Sequence, residues 1–219
     1  MKQILAVLAP VNWLLLLAAF GVGLASMAMG GLRRADTSIY LVHFTLALFA
    51  VLFTLGVHCL IFIYFLGTGR WVKEVASAYR IPDAPLPKLT RELKRRTFPP
   101  ALFAMLTPIT AAAAGAAVQW RDLNWSVHFT LAVATLAVNA WAFWVEYRNV
   151  SINAVVIEDV LREVDRIRAE AGLPSNAEAL RQEREGTMTG IPAAGEVRLT
   201  QDAASGGRQP PDISPKSGG

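Results

Sequence analysis

The sequence predicts an all-α, polytopic membrane protein: a bundle of four transmembrane helices built from two duplicated hairpins, followed by a cytoplasmic amphipathic helix and a disordered tail. Three observations carry this. Hydrophobic residues make up 53% of the 219 residues and charged ones only 17%, a balance foreign to disordered chains and unusual for water-soluble domains. Charges are absent from four long stretches, Gln3 to Leu32, Thr37 to Gly69, Thr97 to Gln119 and Leu123 to Val145. Finally, Val42-His-Phe-Thr-Leu-Ala47 recurs letter for letter as Val127-His-Phe-Thr-Leu-Ala132.

A hydrocarbon core of about 30 Å needs about 20 helical residues, and each charge-free stretch supplies them. The spans are expected at residues 4–29, 38–67, 99–118 and 125–147, within a domain of residues 1–149. The first begins with Lys2 and ends in Ala25-Ser-Met-Ala-Met-Gly, which resembles a secretory signal. Its apolar run exceeds the usual length of about 7–15 residues, so it reads as an uncleaved anchor; cleavage would leave three spans in the same orientation. In the third, Ala111 to Ala114, Gly115, Ala116 and Ala117 make a smooth surface for close helix contact. Pro108 should kink that helix and release the carbonyl of Ala104.

Between spans two and three, the loop of residues 69–98 carries Arg70, Lys73, Arg80, Lys88, Arg91, Lys94, Arg95 and Arg96, whereas the two other loops hold only Arg33, Arg34 and Arg121. Basic residues concentrate on the cytoplasmic side, so this loop and both termini are expected inside, in an inner cell membrane. The net charge of +4 therefore reflects topology and contact with anionic lipid, not a nucleic-acid partner. Trp13, Trp71, Trp120, Trp125 and Tyr147 are expected near the interfaces. Within the loop, Ile81 to Pro87 reads as extended linker, and Thr90 as the cap of a short helix.

Residues 150–173 read as a separate amphipathic helix on which Ile157, Val160, Val164 and Ile167 follow a coiled-coil spacing. That seam can meet a second copy of the chain or a partner protein; alternatively the helix lies on the bilayer surface or packs against the cytoplasmic ends of the bundle. Residues 174–219, rich in Pro, Gly, Ser and Gln, are expected to be disordered.

The histidines are the chemically informative residues. His43 and His128 open the second and fourth spans, which run in the same direction, so they should share one depth near the outer face. At about 100° per residue, His43 shares a face with Ala47, Ala50 and Thr54, and His128 with Ala132, Thr135 and Asn139. Such stripes of small and polar residues face protein, not lipid. His58 lies about 22 Å deeper, and its counterpart in the repeat is Phe143. Thr54, His58 and Asn139 are therefore candidates for an interior polar cluster.

Two neutral imidazoles from different helices of a four-helix bundle can hold a b-type haem iron, with Ala47 and Ala132 leaving room for the macrocycle and Arg33, Arg34 and Arg121 near the propionates. In these two histidines and this architecture the chain resembles membrane-anchored b-type cytochromes. Alternatively, both histidines serve packing, bonded to Thr45, Thr130, backbone carbonyls or each other. The single cysteine, Cys59, excludes a disulfide or a cysteine-based zinc site within one chain. The sequence carries no His-Glu-x-x-His helix, phosphate loop, dinucleotide fingerprint or nucleophile elbow. The first functional reading is thus a non-catalytic membrane subunit or adaptor, the second a haem b electron-transfer subunit, the third a small proton-linked transporter.

Overall fold

The computed structural model describes residues 1–29 and 37–189. The described residues are helical: α1 (Lys2–Ala28), α2 (Ser38–Ala78), α3 (Leu86–Trp120), α4 (Trp125–Glu170) and α5 (Asn176–Thr189). The first four are long and apolar enough to cross a membrane. Met1–Ala171 form one compact unit, and α5 belongs to a second.

In the first unit α1 touches α2, α2 touches α3, α3 touches α4, and α4 returns to α1, so consecutive helices are antiparallel neighbours. The diagonal pair α2 and α4 runs parallel and meets across the centre. Its core is built from Leu5, Val57, Ile61, Phe65, Phe143 and Val150, with a second, smaller cluster of Leu16, Ala19 and Ala50 toward the other end. Outward positions such as Val7, Leu52, Ile63, Phe103 and Trp144 are exposed and apolar. Lipid accepts that surface, and in a bilayer the helices satisfy their own backbone hydrogen bonds.

Local chemistry accounts for the helix ends. Residue 80 turns left-handed at φ 55° while the Ile81 amide donates to Ala76 O at 2.9 Å, a pattern that ties off the carbonyls at the end of α2. Asn124, part of a formal glycosylation triplet, caps α4 by accepting from the Ser126 amide at 3.0 Å.

Several expectations need correction. α3 starts at Leu86, so the extended linker stops short, and Thr90 is not a cap: it is buried within α3, donating to Leu86 O. Residues 150–170 are not a separate element, because α4 runs unbroken from Trp125 to Glu170 with no Gly or Pro to interrupt it. At about 1.5 Å per residue α2 and α4 each exceed 60 Å, twice the hydrocarbon thickness, so both project beyond the spans beside the start of α3. Their continuation is packed: Val72, Ala76, Leu93, Val156, Val160 and Val164 are buried, and Arg168 Nη1 donates to the Tyr79 hydroxyl at 3.1 Å. Helix α5 occupies part of the tail expected to be disordered. Trp13 sits in the middle of α1, with Nε1 donating to Leu136 O at 3.3 Å.

Candidate functional site

The two duplicated histidines stand together. His43 and His128 have ring centroids 6.2 Å apart and planes at 72°. His43 Nδ1 lies 3.0 Å from Ala19 O, and His128 Nδ1 lies 2.9 Å from Ala111 O. A carbonyl oxygen only accepts, so in each ring Nδ1 carries the proton and donates it. That leaves Nε2, with its lone pair, as the nitrogen free to bind something else, and neither Nε2 has a hydrogen-bond partner among the described residues. One turn beyond each carbonyl is a glycine, Gly23 or Gly115. A Cβ there would sit 2.8 Å from His43 Cε1 or 2.9 Å from His128 Cε1, so the absence of a side chain is what admits each ring.

The pair borders a cleft of about 230 Å³, far more than the roughly 10–15 Å³ that holds one water. Its walls are chiefly apolar, with Ala47, Ala132, Phe20 and Phe129 near the rings, Thr135 deeper, and Tyr40, Trp120 and Trp125 among the residues around the mouth. Arg121 follows α3 but does not line the cleft. Arg33 and Arg34 lie outside the described residues.

The deeper polar residues form a separate cluster. His58 is fully buried, stacked on Phe143 at 4.9 Å with planes 12° apart. Its Nδ1 is 2.7 Å from Glu146 Oε1 and its Nε2 is 3.1 Å from Asn139 Oδ1. Asn139 uses its amide N–H groups on Thr135 O at 2.9 Å and Ala104 O at 3.2 Å. Ala104 O is the carbonyl that Pro108 leaves without its helical donor. Thr54 donates to Asn12 Oδ1 at 3.0 Å, one further link on the α1 side.

Of the expected cluster of Thr54, His58 and Asn139, the structure joins His58 to Asn139 and adds Glu146, whereas Thr54 bonds to Asn12 and to Ala50 O. Glu146, placed at the inner edge of the fourth span by its position, is fully buried and paired with His58. The spacing Thr135, Asn139, Glu146, Asn149, Asn153 repeats every three, four or seven residues and marks one face of α4, a signal available beforehand. Among the described residues no group of three or more His, Cys, Asp or Glu side chains is arranged to hold a metal ion.

No family model, curated protein or solved structure matches this chain. The function must be argued from the geometry.

Proposed function

We propose that this chain is a b-type haem subunit that carries electrons in a cell membrane, with His43 and His128 as axial ligands. One observation carries the reading: two imidazoles, each fixed by an Nδ1–H bond to a backbone carbonyl, keep Nε2 without a partner among the described residues, beside a shared cleft. A backbone carbonyl that accepts from the other ring nitrogen sets the tautomer and ring orientation of a metal-bound histidine. The two rings also stand close enough to serve one bound group, with centroids 6.2 Å apart. Packing alone accounts for the Nδ1 bonds but not for two unbonded Nε2 atoms beside an apolar cleft.

The residues present fit the group. Gly23 and Gly115 let the rings approach their carbonyls, Ala47 and Ala132 keep the walls flat, and Phe20 and Phe129 exclude water. When bound, haem would supply one-electron redox chemistry, and the bis-imidazole set would keep its iron six-coordinate. The chain's own work is to hold two rings in fixed tautomers on rigid helices.

A duplicated hairpin supports this arrangement. Shifting α2 onto α4 by 85 positions pairs His43 with His128, Thr54 with Asn139 and His58 with Phe143. Shifting α1 onto α3 by 92 positions pairs Asn12 with Ala104, Ala19 with Ala111 and Gly23 with Gly115. The two histidine–carbonyl–glycine units thus correspond position by position, and Phe143 stands where a second deep histidine opposite His58 would. Orientation follows the basic residues: the end with the α2–α3 connection is cytoplasmic, and the His43–His128 cleft opens toward the outer leaflet. The adaptor reading loses its best support, because Val160 and Val164 are already buried within the chain.

The test is the absorption spectrum of the full chain purified from haem-replete cells, oxidised and then dithionite-reduced. Low-spin b-type bands are expected, abolished by His43→Asn or His128→Asn and largely kept in His58→Gln. Asparagine retains an N–H donor for the carbonyl, so the substituted protein should still fold. A colourless parent of intact fold would overturn the proposal.

A further inference from the structure

We propose that His58 and Glu146 form a proton-binding site inside the bundle, filled from the end of the α2–α3 connection along the polar face of α4. The hydrogen-bond inventory defines its protonation. Both amide N–H groups of Asn139 are committed to carbonyls, so its Oδ1 must accept, and His58 Nε2 must carry a proton. Between His58 Nδ1 and Glu146 Oε1, 2.7 Å apart, there is then room for one proton, as N–H···O⁻ or N···H–O. The other carboxyl oxygen, Glu146 Oε2, is fully buried and has no partner among the described residues. It is the open position where a further proton binds.

A route is built into the same helix. Asn149 and Asn153 follow Glu146 at one-turn intervals and are buried. Asn149 Nδ2 donates to Thr97 Oγ1 at 2.9 Å, and Asn153 Nδ2 to the Tyr64 hydroxyl at 3.0 Å and Thr68 Oγ1 at 3.1 Å. Asn153 Oδ1 is buried without a partner among the described residues. Unpaired polar atoms one or two turns apart are the places where buried water bridges and where protons move along hydrogen bonds. Of the charged groups at this end of the surrounding helices, Lys2 of α1 lies over the Tyr147 ring, Arg148 of α4 over Trp144, and Arg96 of α3 pairs with Glu92; Lys94 and Arg95 of α3 and the Met1 amine of α1 stand at the same end. Tyr64 of α2 accepts from Asn153. His58 of α2 is the ionisable side chain in contact with Glu146. An intramembrane histidine–carboxylate pair of this kind is the device by which membrane proteins store and pass protons.

The site stands apart from the haem reading, so a colourless protein would leave it in place. The test is infrared spectroscopy of the full chain in lipid nanodiscs, with the proton as the probe. A carboxylic C=O band sensitive to deuterium exchange should grow as pH falls, vanish in Glu146→Gln and shift in frequency in Glu146→Asp, which keeps a carboxyl group should the amide fail to fold. His58→Gln should move its midpoint by at least one pH unit, a tenfold change in proton affinity. Asn149→Leu with Asn153→Leu should slow deuterium exchange of the band at least tenfold, whereas Thr54→Val should not. A Glu146 carboxyl that shows no titrating band, or an exchange rate indifferent to Asn149 and Asn153, would overturn the proposal.

Discussion

Two glycines on α1, two residues apart, should respond to the same substitution with opposite signs. An alanine Cβ at Gly23 would lie 2.8 Å from His43 Cε1 and 3.1 Å from Nδ1. Carbon atoms pack best at about 3.5–4.0 Å, so the imidazole must retreat by roughly 0.7–1.2 Å. The His43 bond to Ala19 O, 3.0 Å long, does not survive such a move. Its loss costs about 1 kcal/mol, and overpacking adds about 1–3 kcal/mol. Against this stands the gain from replacing glycine within a helix, about 0.5–1 kcal/mol. Gly23→Ala should therefore destabilise the bundle by about 1–3 kcal/mol. At Gly21 a Cβ meets nothing within 4 Å, so only the helix gain remains and Gly21→Ala should stabilise by about 0.5–1 kcal/mol. The assay is unfolding of the full chain in mixed detergent micelles followed by far-UV circular dichroism. Gly115→Ala should repeat the Gly23 result against His128, where the approach is 2.9 Å. Equal stability of Gly23→Ala and Gly21→Ala would refute the reasoning, because it would mean the ring is not held against that helix.

Asn139→Leu should cost about 1–3 kcal/mol by stranding the Ala104 carbonyl, and Pro108→Ala in the same chain should recover about 1 kcal/mol by supplying a helical N–H; strict additivity in the double-mutant cycle would contradict this. Val160→Asp places a carboxylate at a position with 0% exposure and should loosen the end of α4, read as new tryptic cleavage at Arg162 and Arg166 with no fall in oligomer mass by light scattering. A mass decrease with α4 still protected would instead favour the seam between copies. Arg91 holds the Asp83 carboxyl below its ordinary value of 3.8 through a side-chain hydrogen bond. A lowered folded-state value contributes stability above 3.8 that is lost as pH falls through the depressed value, so the melting temperature of the parent should drop more below that pH than that of Asp83→Asn. Identical acid profiles would show that the pair adds nothing.

Four spans and the pairing of His43 with His128 at one depth could be read from the chain, because hydrophobic runs of membrane length and an exact six-residue repeat are local signals. The release of the Ala104 carbonyl was equally legible, since Pro108 dictates it from four residues away. Its partner was not: Asn139 lies on another helix, and helical phase shows which face a residue occupies but not which atom it meets. The same limit hid the glycines at 23 and 115, whose role depends on rings from the next helix, and the pairing of Glu146 with His58 across the bundle diagonal. It also left open whether Val160 and Val164 face another chain, the bilayer surface or the bundle itself. A heptad spacing states that a stripe must be covered, and only the packing of α2, α3 and α4 beyond the spans decides that the chain covers it itself. Periodicity records the demand for burial. Which partner meets it, and which nitrogen of a histidine is left free when it does, is set by contacts between helices far apart in sequence.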